Sequence, residues 1–124
     1  MTNLATKTET TFPTLTLKEY QDWTINTALY PHAGTESIEE LMYLSLGLAG
    51  EAGEVANNVK KLFRDGENQE LRTNLAKELG DVMWYMARLS AVLGVDLTET
   101  ISANKAKLES RLARGVIQGS GDHR

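Results

Sequence analysis

Two stretches of this chain, residues 38–64 and 69–93, carry apolar side chains at steps of three and four, and only Asp65-Gly66-Glu67-Asn68 separates them. The first runs Ile38, Leu41, Ser45, Leu48, Ala52, Val55, Val59, Leu62; the second runs Leu75, Leu79, Val82, Met86, Leu89, Leu93. Such spacing keeps one stripe of a helix facing a partner, and so short a connection favours antiparallel neighbours. The rest of the chain agrees with a helical reading. Thr16 with Glu19, Ser37 with Glu40, and Asp96 with Glu99 each place a capping oxygen three residues before a carboxylate. Pro31 stops a first helix near Tyr30, and Gly66, Gly94 and Gly115 stand where left-handed C-terminal caps belong. The expectation is an all-α bundle of about four helices, near 17–30, 38–64, 69–93 and 97–114. No stretch alternates as a strand does, and Val116 and Ile117 sit in a glycine-rich tail that reads as loop. Residues 1–15, threonine-rich with Pro13, read as a flexible arm; residues 16–115 form the domain, and 116–124 a tail.

Composition removes whole classes of chemistry. The chain has no cysteine, which excludes disulfide scaffolds, thiolate metal sites and thiol catalysis. Its 13 basic and 17 acidic residues give a net charge of -4, which argues against a cationic nucleic-acid binder. No apolar run nears the roughly 20 residues that a membrane helix needs. The first residues, MTNLATKTETTFPTLT, lack the apolar centre of a secretory signal, so a soluble cytoplasmic domain is expected. The second long helix is apolar off its stripe too, at Met83, Trp84 and Tyr85, so more than one neighbour must cover it. Self-association as a dimer or tetramer follows as an expectation.

Four acids hold a particular relation to these stripes. Glu51 and Glu54 lie one position before Ala52 and Val55, and Glu78 and Asp81 one position before Leu79 and Val82. Residues three apart share a helix face, so an antiparallel pair brings four carboxylates to the edge of the core. Acids at helical spacing commonly mark only a solvated face. Here they adjoin apolar residues, glycines at 47, 50, 53 and 80 interrupt the helices beside them, and Glu78 and Asp81 sit within or beside LGDVMWYMARL. Each such glycine costs about 1 kcal/mol of helix propensity relative to alanine and permits close approach. Like charges gathered there repel, and a divalent cation removes the repulsion; oxygen-only ligands suit a hard ion, Mg²⁺ or Mn²⁺.

The segments LMYLSLGLAGEAGEVANNVKKLFRDG and LAKELGDVMWYMARLSAVLGVDL resemble the MazG-like, all-α nucleoside triphosphate pyrophosphohydrolases. The family signature, E-x-x-E on one helix and E-x-x-D on the next, is matched by Glu51, Glu54, Glu78 and Asp81. In the last helix, NKAKLESRLARG, Lys107 and Arg111 match a family K-[L/F]-x-x-R pattern, with Asn104 at the position of a frequent family asparagine. The resemblance covers about residues 17–124, and the ending RGVIQGSGDHR is similar to a phage-associated or bacterial subgroup. It implies hydrolysis of a nucleoside triphosphate between the α and β phosphates in a bacterial cell or phage-infected host. The four acids would hold Mg²⁺, with Mn²⁺ as a substitute, and Glu51 or Glu54 would orient the attacking water. Lys107 and Arg111 would meet phosphate as point charge and planar fork.

The other polar residues are less directive. Lys60, Lys61 and Arg64 suit a helix C-terminus better than a phosphate. Trp23, Trp84 and Tyr85 either stack on a base or fill the core, and Asn57 and Asn58 offer hydrogen bonds to base or sugar. The tail is either a lid over substrate or a frayed end. A di-iron carboxylate bundle is excluded because no histidine follows a glutamate by three. A non-catalytic nucleotide- or partner-binding module is the remaining alternative; it has no need of a complete acid quartet.

Overall fold

The computed structural model describes residues 12–124, so residues 1–11 of the expected arm lie outside it. Four α-helices follow one another: α1 Leu17–Trp23, α2 Ile38–Asp65, α3 Gln69–Val92 and α4 Leu97–Ala113, with a 3₁₀ turn, Thr24–Thr27, closing α1. Among the described residues there is no strand. Two of the expected helix starts are capped as read, Thr16 accepting from the Glu19 N–H and Ser37 from the Glu40 N–H; Asp96 caps α4 through the Thr98 N–H and not through Glu99. A fourth cap, Asn68 accepting from the Leu71 N–H, starts α3. At the ends of α3 and α4 the glycines do what only glycine does cheaply. Gly94 and Gly115 adopt φ of 72° and 70°, letting Val95 and Val116 donate back to Ser90 and Arg111 carbonyls.

The first helix is shorter than its expected span of 17–30. Thr24 and Thr27 turn their hydroxyls back onto the Gln21 and Thr24 carbonyls at 2.6 and 3.0 Å, and the helix tightens into 3₁₀ form before Pro31 is reached. The loop that follows contains two non-glycine residues in the left-handed region, His32 and Glu36.

α2 and α3 run antiparallel, since Gly47 meets Tyr85 while Glu51 lies beside Glu78 and Asp81. α3 is the central helix, touching α1, the 3₁₀ turn, α2 and α4. The packed line overlaps the expected stripes only in part: Leu41, Leu48, Val55 and Leu62 on α2 and Leu75, Val82 and Leu89 on α3 are half-buried. On α2 it passes through Glu40, Leu44, Gly47, Glu51, Val55 and Asn58, whereas Ile38, Ser45, Ala52 and Val59 face outward. On α3, Leu79, Met86 and Leu93 are exposed while Ala87, Arg88 and Ser90 are buried. Glu51 and Glu78 therefore lie half-buried on the facing line itself, while Glu54 and Asp81 stay exposed at its edge. Ala28, Tyr30 and Leu44 form a small core that Trp84, Tyr85 and Leu89 cover.

Candidate metal centre

The close approach of α2 and α3 has a local cause. A Cβ at Gly47 would run into the ring of Tyr85, so the glycine makes a notch that seats this ring. Glu51 is one turn beyond Gly47, and Asp81 one turn before Tyr85. The notch thus brings the two acid-bearing turns face to face. Glu51, Glu78 and Asp81 each offer an oxygen within 4.8 Å of the others. Glu51 and Glu78 are half-buried, and Asp81 is exposed. The other glycines near the acids, Gly50, Gly53 and Gly80, have open space where a side chain would project, so the expected close approach occurs at Gly47 alone.

The electrostatics follow from that geometry. Among the described residues, no lysine or arginine forms an ion pair with Glu51, Glu54, Glu78 or Asp81. Hydrogen bonding to the Glu78 carboxylate pushes the Glu51 carboxyl above its ordinary range, with burial and the charges of Asp81, Glu78 and Glu54 adding to the push. The field reaches the surrounding phenols. Burial raises Tyr85, and Tyr43, Glu51 and Asp81 raise it further; burial and then Asp81 raise Tyr20. Three converging oxygens without a compensating cation fit a hard divalent ion. Glu54 contributes charge to Glu51 but stands exposed outside the trio.

The remaining candidates are distributed elsewhere. Lys107 and Asn104 line a groove along α4 with Thr100 and Ala103. Arg111 is buried, and its Nη2 donates to the carbonyl and carboxylate of Asp122 at 3.0 and 3.3 Å. Neither cation is among the groups that bear on the Glu51 carboxyl. Asn58 is buried on α2. Trp23 is half-exposed and stacked on Tyr20, ring centroids 6.2 Å apart, and the two line an apolar pocket with Leu15. A neighbouring groove runs from Leu15 and Tyr20 to Gly80, next to Asp81. Trp84 belongs to the core cover, its indole N–H donating to the Thr27 hydroxyl at 2.8 Å. Arg64 forms a two-pronged pair with Asp65 at the end of α2.

A second acidic centre escaped the sequence reading, which gave Glu40 only a capping role. Its carboxylate is fully buried and accepts from the Tyr30 hydroxyl at 2.8 Å, the Gly34 N–H at 2.6 Å and the Glu36 N–H at 3.0 Å. Burial alone would raise this group, but those three donors and the Arg88 charge hold it below the usual carboxylate range. Arg88, a lone charge in the apolar run MWYMARLSAV, was the available signal.

The sequence model of the MazG nucleotide pyrophosphohydrolase domain matches residues 39–115, from the first turn of α2 past the end of α4. The Gene 37 protein of Mycobacterium phage L5 is 54% identical over 109 residues, covering 85% of this chain and 96% of the phage protein. No solved structure matches.

Proposed function

This chain belongs to the family of the MazG nucleotide pyrophosphohydrolase domain, and on that footing we propose that it is a metal-dependent nucleoside triphosphate pyrophosphohydrolase. The products are a nucleoside monophosphate and pyrophosphate. The observation that carries the reading is the convergence of Glu51, Glu78 and Asp81 with no cation among the described residues paired to them. These three, with Glu54 one turn along α2, would hold Mg²⁺ or Mn²⁺. When bound, the ion neutralises phosphate charge, polarises the attacked phosphorus and lowers the pKa of water.

The chain's own groups have divided tasks in this proposal. Glu51 or Glu54 orients the water and accepts its proton; Glu54, exposed and outside the trio, is free to turn toward it. Lys107 and Arg111 bind phosphate oxygens, and Asn104, beside Lys107 in the same groove, hydrogen-bonds the nucleotide. The apolar pocket of Trp23 and Tyr20 takes the base, supported by the groove that runs from Tyr20 to Gly80 beside the acids. Asn58, buried two turns beyond Glu51 on α2, hydrogen-bonds the base or sugar in this proposal.

A homo-oligomer, dimer or tetramer, belongs to the same proposal. Among the described residues only Ala28, Tyr30, Leu44, Ala87 and Leu97 form the buried apolar core, while Met42, Leu46 and Phe63 of α2 and Leu108 and Leu112 of α4 are exposed. Apolar faces of that extent are characteristic of subunit contacts. Sedimentation at micromolar concentration should give a dimer or larger; a clean monomer would remove this part.

The activity is tested by a panel of ribo- and deoxynucleoside triphosphates, with alarmone nucleotides included, incubated with protein and Mg²⁺. Monophosphate and pyrophosphate in equal amounts from at least one substrate is the expected result. Binding without turnover across the panel would instead mark a non-catalytic nucleotide module.

A further inference from the structure

We propose that the C-terminal segment is an intramolecular latch: the Asp122 carboxylate holds Lys107 and Arg111 in the place of a phosphate group, and a nucleotide must displace it. The inference rests on the reading of these two cations as phosphate ligands. Lys107 and Arg111 are four apart on α4 and converge on one oxygen, Asp122 Oδ1, at 3.5 and 3.3 Å. Arg111 also donates to the Asp122 carbonyl at 3.0 Å.

The match is incomplete, and the deficit has a chemical signature. Arg111 Nε is buried without any hydrogen-bond partner. A buried guanidinium nitrogen normally has one. The carboxylate offers the fork a single oxygen at Nη2, whereas a phosphate presents several oxygens and can engage Nε and Nη2 side by side. The site is therefore better suited to a phosphate than to the group that fills it. Access is asymmetric in the same sense. The Arg111 side chain is 5% exposed, and that of Asp122 is 80% exposed. Water-screened from outside, the carboxylate is a weak competitor for a polyanion.

The segment can move as a piece. Arg124 donates to the Val116 carbonyl at 3.2 Å and the Gly121 carbonyl at 2.6 Å, closing residues 116–124 on themselves. Arg114, two residues before the segment's start, donates to the Arg124 carbonyl at 3.1 Å and serves as a tether. Between the segment and the cation pair, the only side chain that carries opposing charge is Asp122.

The test is calorimetric binding of inorganic pyrophosphate with Mg²⁺ to the full chain and to Asp122→Asn and Lys107→Ala, joined by kinetics on the best triphosphate. Asp122→Asn should tighten pyrophosphate about five-fold and lower KM with kcat unchanged, as expected on removing a surface ion pair. Lys107→Ala should weaken both. Unchanged or weaker binding in Asp122→Asn, with Lys107→Ala impaired, overturns the latch and leaves the phosphate reading standing. If neither substitution alters binding, the cations do not hold phosphate and both fall.

Discussion

Glu40 and Glu51 occupy the same packed line of α2, about three turns apart, yet their surroundings push their acidities in opposite directions. Glu40 is sealed from solvent and fully met: a hydroxyl, two backbone N–H groups and the Arg88 charge favour its ionised form. Glu51 is more accessible, and its neighbours are carboxylates. A buried acid supplied with donors is a structural part, pinning the 30–37 loop to α2. An accessible acid crowded by like charge is a poor structural part, and an exogenous cation is what resolves it. Under the proposed function, the difference separates a structural acid from a metal-binding one along a single helix.

The comparison breaks most readily at Glu40. Glu40→Ala strands the Tyr30 hydroxyl and two N–H groups and removes the charge that balances Arg88, and should cost about 3–5 kcal/mol in urea unfolding. A loss below about 1 kcal/mol would show that its donors find water instead. Asp81→Asn and Glu78→Gln should behave in the reverse manner. Turnover should fall about a hundred-fold or more, while stability without metal is unchanged or higher, because repulsion is removed. If either variant unfolds, the trio is structural too. Gly47→Ala tests the notch between the two regions. The added methyl must displace the Tyr85 ring, at an expected cost of about 1–3 kcal/mol, and Mn²⁺ affinity should weaken with it. Unaltered metal affinity would detach helix spacing from the site.

The smallest effect is the pH dependence of stability in metal-free solution, and its sign differs for the two acids. The Glu40 contribution is present at neutral pH and is lost as pH falls through its depressed pKa. Glu51 is raised, so its contribution is present below the ordinary carboxylate value and is lost as pH rises through its folded pKa. Unfolding curves should therefore show a modest gain just above the usual carboxylate range on acidification, then a loss at lower pH. Added Mg²⁺ should abolish the first phase and leave the second. A first phase indifferent to Mg²⁺ would contradict the assignment of Glu51.

Much of this was legible before any coordinates. Caps at Thr16, Ser37 and Asp96, and glycines at 94 and 115, act locally and are written in short words of sequence. The acid pairs were legible because a three-residue step fixes a shared face whatever surrounds it. Their exact orientation was not. The apolar rhythm of α2 favours the Ile38–Leu62 stripe, whereas the buried positions include Glu40 and Asn58 on α2 and Arg88 on α3, polar residues that a hydrophobic pattern counts as surface. The early end of α1 turned on threonine hydroxyls competing for helical carbonyls. The contact of Arg111 with Asp122 depends on the course of the intervening loop, which no periodicity encodes.

The most direct test of the central claim follows the side-chain carboxyl carbons of Glu40 and Glu51 by NMR titration, with and without Mg²⁺. Without metal, Glu51 should titrate above the ordinary glutamate value and Glu40 below it. Mg²⁺ should bring Glu51 down past its ordinary value and leave Glu40 where it was. A Glu51 titration that Mg²⁺ does not move would contradict a metal centre at Glu51, Glu78 and Asp81.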